Sequence, residues 1–398
     1  MLIGFVGKPS AGKSTFFKAA TLADVEIANY PFTTIKPNHG AGFVKMECAD
    51  RAFNTQCHPR MGYCLDHYRF IPVDLMDVAG LVPGAHLGLG RGNQFLDDLR
   101  QADVLIHVID ISGSVNEKGE PVEALSYDPA LDVRFLEEEL DYWYLGILKK
   151  GWDKFARQLE QEKGPVHRAL GKQLSGLNVT ENMVKDVIEK LKLPEVPTNW
   201  TEEHLMQLST ELRKRTKPMV IACNKIDIDG AVKNYERLKS LFPDHHFFAC
   251  SAESELALRQ ASKHGLIHYM PGTNTFSYGD EAKLNPAQKN ALEFIKKNML
   301  GRFGSTGVQP VLDAAVFSLL GCVAIFPGGV NKLADKEGNV LPDCFILPRN
   351  STALDFAFRL HTDFGKNFIR AIDVKTKKAV GKDHMLKNGD VVEIVAGR

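Results

Sequence analysis

The amino-acid sequence predicts an α/β fold: a doubly wound, mostly parallel sheet with a helical insertion and a small α+β domain at the C-terminus. Five short apolar runs predict buried parallel strands, at residues 2–6, 73–77, 104–110, 219–224 and 246–250. After the third run, apolar residues such as Leu136, Leu140 and Trp143 recur at helical spacing, which predicts the insertion.

The first predicted strand is followed by a glycine-rich turn and a helix over residues 13–22. Two more helices are predicted at 286–300 and 308–320, with a glycine-rich, hinge-like junction at 301–307 between them. In the C-terminal part, one helix at 352–361 stands among short strands, which is typical of a small α+β roll. Those strands are predicted at 323–326, 344–347, 369–373 and 391–395.

These elements predict four segments. Residues 1–115 and 216–275 form the parallel-sheet domain, 116–215 the helical insertion, 276–320 the connecting helices and 321–398 the α+β domain. A chain of 398 residues that is 44% hydrophobic is long and apolar enough to fill several cores.

Composition and charge exclude several classes of protein. The 49 basic and 49 acidic residues cancel, so bulk charge does not indicate a nucleic-acid coat or a membrane-surface protein. The longest apolar stretch, 314–326, is shorter than the roughly 20 residues that span a bilayer. The N-terminus enters a strand without the features of a secretory signal, and the seven cysteines make no disulfide framework. We therefore expect a cytoplasmic protein without membrane attachment.

Residues 7–14 satisfy the pattern G-x-x-x-x-G-K-S between a strand and a helix, the context that makes this motif meaningful. Backbone N–H groups and the helix N-terminus would face phosphates, Lys13 would reach the β- and γ-phosphates, and Ser14 would bind Mg²⁺. The predicted nucleotide contacts here are Gly7, Lys8, Pro9, Ser10, Ala11, Gly12, Lys13, Ser14 and Thr15.

Two further motifs end predicted strands. Asp77 can hold Mg²⁺, and the Gly80 backbone N–H can approach the γ-phosphate. In the second motif, Asp227 can accept hydrogen bonds from guanine, Asn224 can fix the loop and the Lys225 stem can lie along the base. Adenine lacks that donor pair, so this motif favours GTP over ATP. Past the last strand, the backbone of Ser251 and Ala252 could bind guanine O6.

Together these motifs resemble the G1, G3, G4 and G5 series of translation-factor-class GTPases. Residues 29–38 resemble the switch I signature of the Obg superfamily, and residues 77–96 resemble its YchF branch. Residues 353–364, with the closing run 388–393, resemble a TGS domain, a β-grasp module. Domain order and motifs are most similar to the archaeal and eukaryotic YchF-related GTPases, which implies a P-loop GTPase domain, a helical insertion and a TGS domain.

The resemblance implies that the protein hydrolyses GTP to GDP and phosphate as a nucleotide-dependent switch. Thr33 or Thr34, with Thr34 preferred, would bind Mg²⁺ and the γ-phosphate. The resemblance also implies that Lys13, Thr34 and Gly80 are catalytic and that Ser14, Thr34 and Asp77 are metal ligands. Leu81 occupies the place of the water-orienting glutamine in Ras-like enzymes and cannot hydrogen-bond water, so intrinsic hydrolysis should be slow.

Other residues could affect the reaction. His86 and Arg91 lie in the same glycine-rich segment and are candidates for the missing group. Some relatives bind K⁺ through an asparagine in the P-loop; Ser10 stands at that position, which disfavours K⁺ but leaves it possible.

The expected partners are GTP or GDP and, through the TGS domain and the insertion, the ribosome or another RNA. Lys375, Lys377 and Lys378 contribute to a mildly basic surface in the TGS-like segment. A monomer is expected. Two alternatives remain: a ribosome- or RNA-binding module that uses nucleotide mainly as a structural ligand, and an ATP-using P-loop enzyme.

Residues 57–67 contain Cys57, His58, Cys64 and His67, enough sulfur and imidazole ligands for Zn²⁺ to be considered. Their spacing differs from C-x₂-C, so a loop or hairpin with two half-buried cysteines is the preferred interpretation, and metal binding stays open.

Overall fold

The computed structural model describes residues 1–21, 38–78 and 98–397, and the chain forms two compact units that alternate along the sequence. The first unit contains Met1–Phe17 and Met76–Ser251, and the second contains Lys18–Leu75 and Ala252–Arg398. No helix among the described residues is long and apolar enough to cross a membrane.

The first unit is built on parallel strands, as predicted. The strands, in their order across the sheet, are Leu2–Val6, Val104–Asp110, Met219–Asn224 and His246–Ala249. Phe5 is aligned with Ile106, and Ile106 with Val220. All residues of Val104–Asp110 are buried, as expected for a central parallel strand. The carboxyl ends of these strands meet at one edge of the sheet, where ligands bind in such folds.

The predicted helical insertion is confirmed as a set of α-helices that shares a core with this sheet. The helices are Ala130–Lys149, Trp152–Glu162, Val166–Gln173, Glu181–Leu191 and Glu202–Thr216, with Ala231–Leu241 following the third parallel strand. Leu140 and Leu212 from the helices join Val6 and Leu105 from the strands in one buried cluster. The rings of Trp152 and Trp200 stack with centroids 5.4 Å apart.

The second unit begins with a region that the sequence pattern did not predict in full. Strand His39–Glu47 is followed by a short 3-10 helix at Ala49–Phe53. The strand lies beside Tyr68–Asp77, which is longer than the predicted strand 73–77. Strand Tyr63–Leu65 forms an antiparallel hairpin with Tyr68–Asp77. The hairpin agrees with the preferred interpretation of residues 57–67, but of the two cysteines only Cys64 is half-buried, and Cys57 is buried. Strand His39–Glu47 was missed because two glycines interrupt its apolar pattern.

The predicted helices of the second unit are present with shifted ends. Pro286–Ile295, capped by Asn285, continues as a π-helical turn and then as helix Gly301–Phe303, so the predicted junction is shortened to residues 304–307. Val308–Asp313 likewise continues as a π-helix through Ala314–Leu319. Helix Ala252–Lys263 and the small strands Ile267–Tyr269 and Phe276–Tyr278 precede these helices.

The C-terminal α+β roll is confirmed as a five-stranded sheet with helices. In sheet order the strands are Phe345–Leu347, Val323–Pro327, Val391–Ala396, Phe368–Asp373 and Lys378–Val380. Helix Ala353–Leu360 starts at a capping box between Thr352 and Asp355, and a short helix, Thr362–Lys366, follows. Phe356 packs on Ile325 and Val392 in the core of this sheet.

Candidate nucleotide-binding site

The P-loop connects strand Leu2–Val6 to helix Lys13–Thr21 at the carboxyl edge of the parallel sheet. A Cβ atom at Gly12 would lie 2.1 Å from Asn224 Nδ2, and Gly12 has φ +90°. A Cβ atom at Gly7 would lie 2.3 Å from the Val108 carbonyl oxygen. The glycines of the motif are therefore needed for close approach to neighbouring backbone and side chains, as well as for any phosphate.

Lys13, Ser14 and Asp77 meet at the start of the P-loop helix. Lys13 Nζ forms an ion pair with Asp77 Oδ1, and Ser14 Oγ donates to Asp77 Oδ2 at 3.1 Å. The Val78 N–H donates to the Phe5 carbonyl at 3.1 Å, which places the end of the Asp77 strand beside the first strand. A hydroxyl and a carboxylate oxygen this close are ligands that Mg²⁺ prefers. The residues present therefore fit a magnesium ion.

Lys8 is inside the P-loop sequence, but its side chain points into the protein. It is 5% exposed, pairs with Asp132 Oδ2 at 2.9 Å and donates to the Val115 carbonyl at 2.7 Å. Its ammonium also lies 3.7 Å from the centroid of the Tyr127 ring. Burial raises the pKa of Asp132, and Lys8 opposes that shift. The Lys8 side chain is thus an anchor for the loop, and only its backbone is left for nucleotide.

The remaining P-loop residues differ in exposure. Ala11 is buried, Pro9 and Thr15 are half-buried, and Ser10 is exposed with a left-handed φ of 61°. The Ala11 carbonyl accepts a hydrogen bond from Asn224 Nδ2 at 3.0 Å. Asn224 therefore fixes the P-loop from the end of strand Met219–Asn224, which is separated from strand Leu2–Val6 by strand Val104–Asp110.

Lys225 is held by a buried carboxylate that sequence reasoning did not assign. Its Nζ donates to Asp110 Oδ2 at 2.9 Å and to Ser114 Oγ at 3.2 Å. Asp110 is fully buried and also accepts from the Ser112 hydroxyl at 2.5 Å and from Ser114 at 2.8 Å. The sequence indicated Asp110 only by its position at the end of the apolar run 104–110. This network sets the direction of the Lys225 stem.

The guanine-selecting residues lie at the same strand ends. Asp227 is half-buried and makes no hydrogen bond or ion pair with any described residue. The Ile226 N–H donates to the Cys250 carbonyl at 3.1 Å, so the loop of Asp227 lies beside the chain that leads to Ser251. Ser251 is 1% exposed. Ala252, also buried, begins the next helix.

Several predicted site residues lie outside the described residues: Thr33, Thr34, Gly80, Leu81, His86 and Arg91. The structure therefore brings together the P-loop, Asp77 and the Asn224–Asp227 loop in the first unit. The assignments of Thr34 and Gly80 stay predictions.

Three family models match the chain in sequence order. They are a 50S ribosome-binding GTPase at residues 2–134, the G4 motif-containing domain of YGR210-like Obg-like GTPases at 222–329, and a TGS domain at 336–396.

Relatives match the chain over nearly its whole length. A GTP-binding protein of Methanocaldococcus jannaschii is 48% identical over 396 residues, 99% of each chain. The crystal structure of a GTP-binding protein from Pyrococcus horikoshii is 39% identical, with a TM-score of 0.78 and full coverage of both chains. A Mycoplasma pneumoniae protein named ribosome-binding ATPase YchF is 27% identical over 373 residues, 92% of this chain and 88% of that one. The chain belongs to the YchF-like Obg-family GTPases.

Proposed function

We propose that this protein binds GTP with Mg²⁺ and hydrolyses it to GDP and phosphate as a nucleotide-dependent switch. The observation that carries the proposal is the meeting of Lys13, Ser14 and Asp77 at the P-loop, with Asp227 at the same edge of the sheet. The domain boundaries proposed above put this edge in the GTPase domain, made of residues 1–115 and 216–275.

Each residue has a defined part in this proposal. Ser14 and Asp77 would hold Mg²⁺, which neutralises phosphate charge when bound. The Lys13 ammonium pairs with Asp77 in the structure. A rotation of its side chain would let it pair with a phosphate oxygen instead. The backbone N–H groups of residues 7–15, except Pro9, which has none, would bind phosphate oxygens, because they lie at the N-terminus of helix Lys13–Thr21.

The chemical step needs residues outside the described part of the chain. Thr34, or its neighbour Thr33, would contact Mg²⁺ and the γ-phosphate, and the Gly80 N–H would stabilise the γ-phosphate. Leu81 offers no hydrogen bond to an attacking water, so intrinsic hydrolysis would be slow. His86, Arg91 or a partner could supply the missing group. Ser10 in place of asparagine disfavours activation by K⁺.

The proposed choice of guanine rests on Asp227. A carboxylate can accept from both N1–H and the exocyclic amine of guanine, while adenine presents no such pair. Ser251 and Ala252 would add backbone N–H groups for O6. The M. pneumoniae relative is named an ATPase, so an ATP-using enzyme is the alternative that nucleotide competition must test.

We also propose that the protein binds ribosomes or another RNA. The support is the family match to 50S ribosome-binding GTPases, the name of the M. pneumoniae relative and the TGS match. Lys375, Lys377 and Lys378 are exposed basic residues at a turn of that domain and at the start of the strand that follows it. Phosphate contacts from such lysines would make the association weaken as salt increases. The protein would act as a monomer.

Co-sedimentation with ribosomes at moderate salt tests the switch. The protein is compared with a non-hydrolysable GTP analogue, with GDP and without nucleotide, together with Lys13→Ala. Pelleting only with the analogue, lost in Lys13→Ala, is the expected result. Equal pelleting in every state would instead favour a ribosome-binding module with nucleotide as a structural ligand. Absence from every pellet would refute the ribosomal part while leaving GTP hydrolysis to be measured separately.

A further inference from the structure

A cluster of side chains able to bind a metal ion lies in the second unit. Cys48, Asp50, Cys57 and Cys64 place one sulfur or oxygen atom each so that all four atoms lie within 4.8 Å of one another. Cys48 is 2% exposed, Asp50 0% and Cys57 3%, while Cys64 is half-buried. A buried carboxylate is costly unless charges or hydrogen bonds compensate it, so a cation among these four side chains would stabilise the group.

Local structure brings the four residues together. Cys48 follows strand His39–Glu47, and its N–H donates to the His67 carbonyl at 2.7 Å. Asp50 lies in the 3-10 helix that starts at Ala49, and its Oδ2 accepts the Cys57 N–H at 3.0 Å. Cys64 lies in the first strand of the hairpin, with its Sγ 3.8 Å from Asp50 Oδ2. The arrangement is fixed by backbone hydrogen bonds as well as by the side chains.

We propose that Cys48, Cys57 and Cys64, with Asp50 as the fourth ligand, bind a structural Zn²⁺ ion. Three sulfurs and one carboxylate oxygen are donors that zinc accepts in tetrahedral sites. With Zn–S bonds of about 2.3 Å, two sulfurs in a tetrahedron lie about 3.8 Å apart. Cys48 Sγ and Cys57 Sγ lie 3.5 Å apart, so they need almost no movement.

The surroundings of the cluster suit a metal bound to thiolates. Arg69, 1% exposed, donates from Nη1 to Cys57 Sγ at 3.5 Å, which offsets part of the negative charge of three thiolates and a carboxylate on Zn²⁺. His67 Nδ1 lies 3.0 Å from Asp50 Oδ1 and leaves Oδ2 directed at the cysteines. Groups of this kind, one step outside the ligands, orient metal ligands in other proteins.

The proposed site is structural, because four protein donors leave no position for substrate. Binding would replace three thiol protons, which are released to solvent, with three Zn–S bonds. The ion would join the end of strand His39–Glu47 to the hairpin and hold Arg69 beside it. Arg69 also donates to the carbonyls of Leu341 at 3.1 Å and Pro342 at 2.7 Å, so the site would support the first residues of the TGS match.

The test is the metal content of the full-length protein, purified without chelator and without an affinity tag that binds metal. Elemental analysis should find about one zinc per chain, and Cys57→Ser and Cys64→Ser should each retain less than about a tenth of it. Cys322→Ser, a buried cysteine of the same unit outside the cluster, is the matched control and should keep the zinc. GTP binding should persist in every variant that stays folded.

Cobalt provides a measurement that does not depend on variants. Exchange of the native protein with Co²⁺ should give the intense thiolate-to-cobalt absorption of a tetrahedral site. A metal-free native protein that takes up neither Zn²⁺ nor Co²⁺ would overturn the proposal. So would iron in place of zinc, or an intact mass lower by two hydrogen atoms, which would show a disulfide. Loss of zinc in Cys322→Ser would also refute the proposed ligand set.

Discussion

Lys8 and Asp132 form a buried ion pair of 2.9 Å that ties the P-loop to the first long helix of the insertion. The two side chains are 3% and 5% exposed. Lys8, a residue of the P-loop motif itself, therefore fixes the loop through its buried side chain. The helical insertion contributes directly to the shape of the P-loop.

Breaking this pair should destabilise the protein strongly. In Lys8→Met, Asp132 keeps its buried carboxylate without a cation, and the cost should be about 3–5 kcal/mol. The double variant Lys8→Met/Asp132→Leu should recover a large part of this loss. Chemical denaturation measures both, with Lys18→Met, an exposed lysine on the P-loop helix, as the control. Equal stability of Lys8→Met and the control would remove the anchor role.

Asp77→Asn should weaken nucleotide binding only where Mg²⁺ contributes. The amide keeps the size of the side chain but loses the charge that faces Lys13 and Ser14. Affinity for a fluorescent GTP analogue should fall roughly tenfold or more in Mg²⁺, which is about 1.4 kcal/mol, and change little in chelator. Asp66→Asn, at an exposed turn, is the control. An equal fall in both conditions would argue against a metal ligand at Asp77.

Asp227→Asn should change the base that the site prefers. The amide cannot accept both guanine donors, so GTP affinity should fall about a hundredfold, whereas an amide N–H can donate to the additional oxygen of xanthine. Competition among GTP, xanthosine triphosphate and ATP measures the shift. Asp229→Asn, exposed in the same loop, should leave selectivity unchanged. Unaltered GTP preference in Asp227→Asn would exclude the assigned role.

His107 should make the first unit sensitive to acid. It is 2% exposed in the central strand, and burial lowers its pKa to about 3. The unfolded chain binds a proton near pH 6.5 and the folded protein does not, so stability is lost as pH falls from about 6.5 toward 3.

The slope expected from His107 is about 1.4 kcal/mol per pH unit within that range. His107→Leu should remove it, while His264→Gln, at an exposed position, should not. Denaturation at several pH values between about 7 and 5 measures the slope. Parallel curves for the native protein and His107→Leu would contradict the prediction.

The parts of the fold that could be predicted are those that depend on patterns of residues close together in the sequence. Strand Val104–Asp110 is a continuous apolar run, and the P-loop is a fixed spacing between a strand and a helix. The π-helical turn at Lys296–Leu300 could not be distinguished, since its apolar spacing is close to that of the α-helix before it.

The parts that could not be predicted depend on distant partners. In the sequence, Asp132 is one acidic residue of a predicted helix, and nothing indicates that it pairs with Lys8. Likewise, the partner of Asp110 is Lys225, which lies 115 residues later in the chain. Cys48 shows no motif spacing with Cys57, and the turn at Asp50 and the Cys48–His67 backbone hydrogen bond help to bring their sulfurs together. Sequence patterns identify the chemistry of such residues but not which of them meet.

The alternation of the two compact units along the chain sets the order in which they can fold during synthesis. The first unit has all its residues once Ser251 is made, while the second, begun at Lys18, needs the C-terminal segment. Arg69 can form its hydrogen bond to the Leu341 carbonyl only after 272 more residues have been synthesised. At about 5–20 residues per second this synthesis takes roughly 14–54 s. During this interval the nascent chain has all the residues of its first unit but only part of its second.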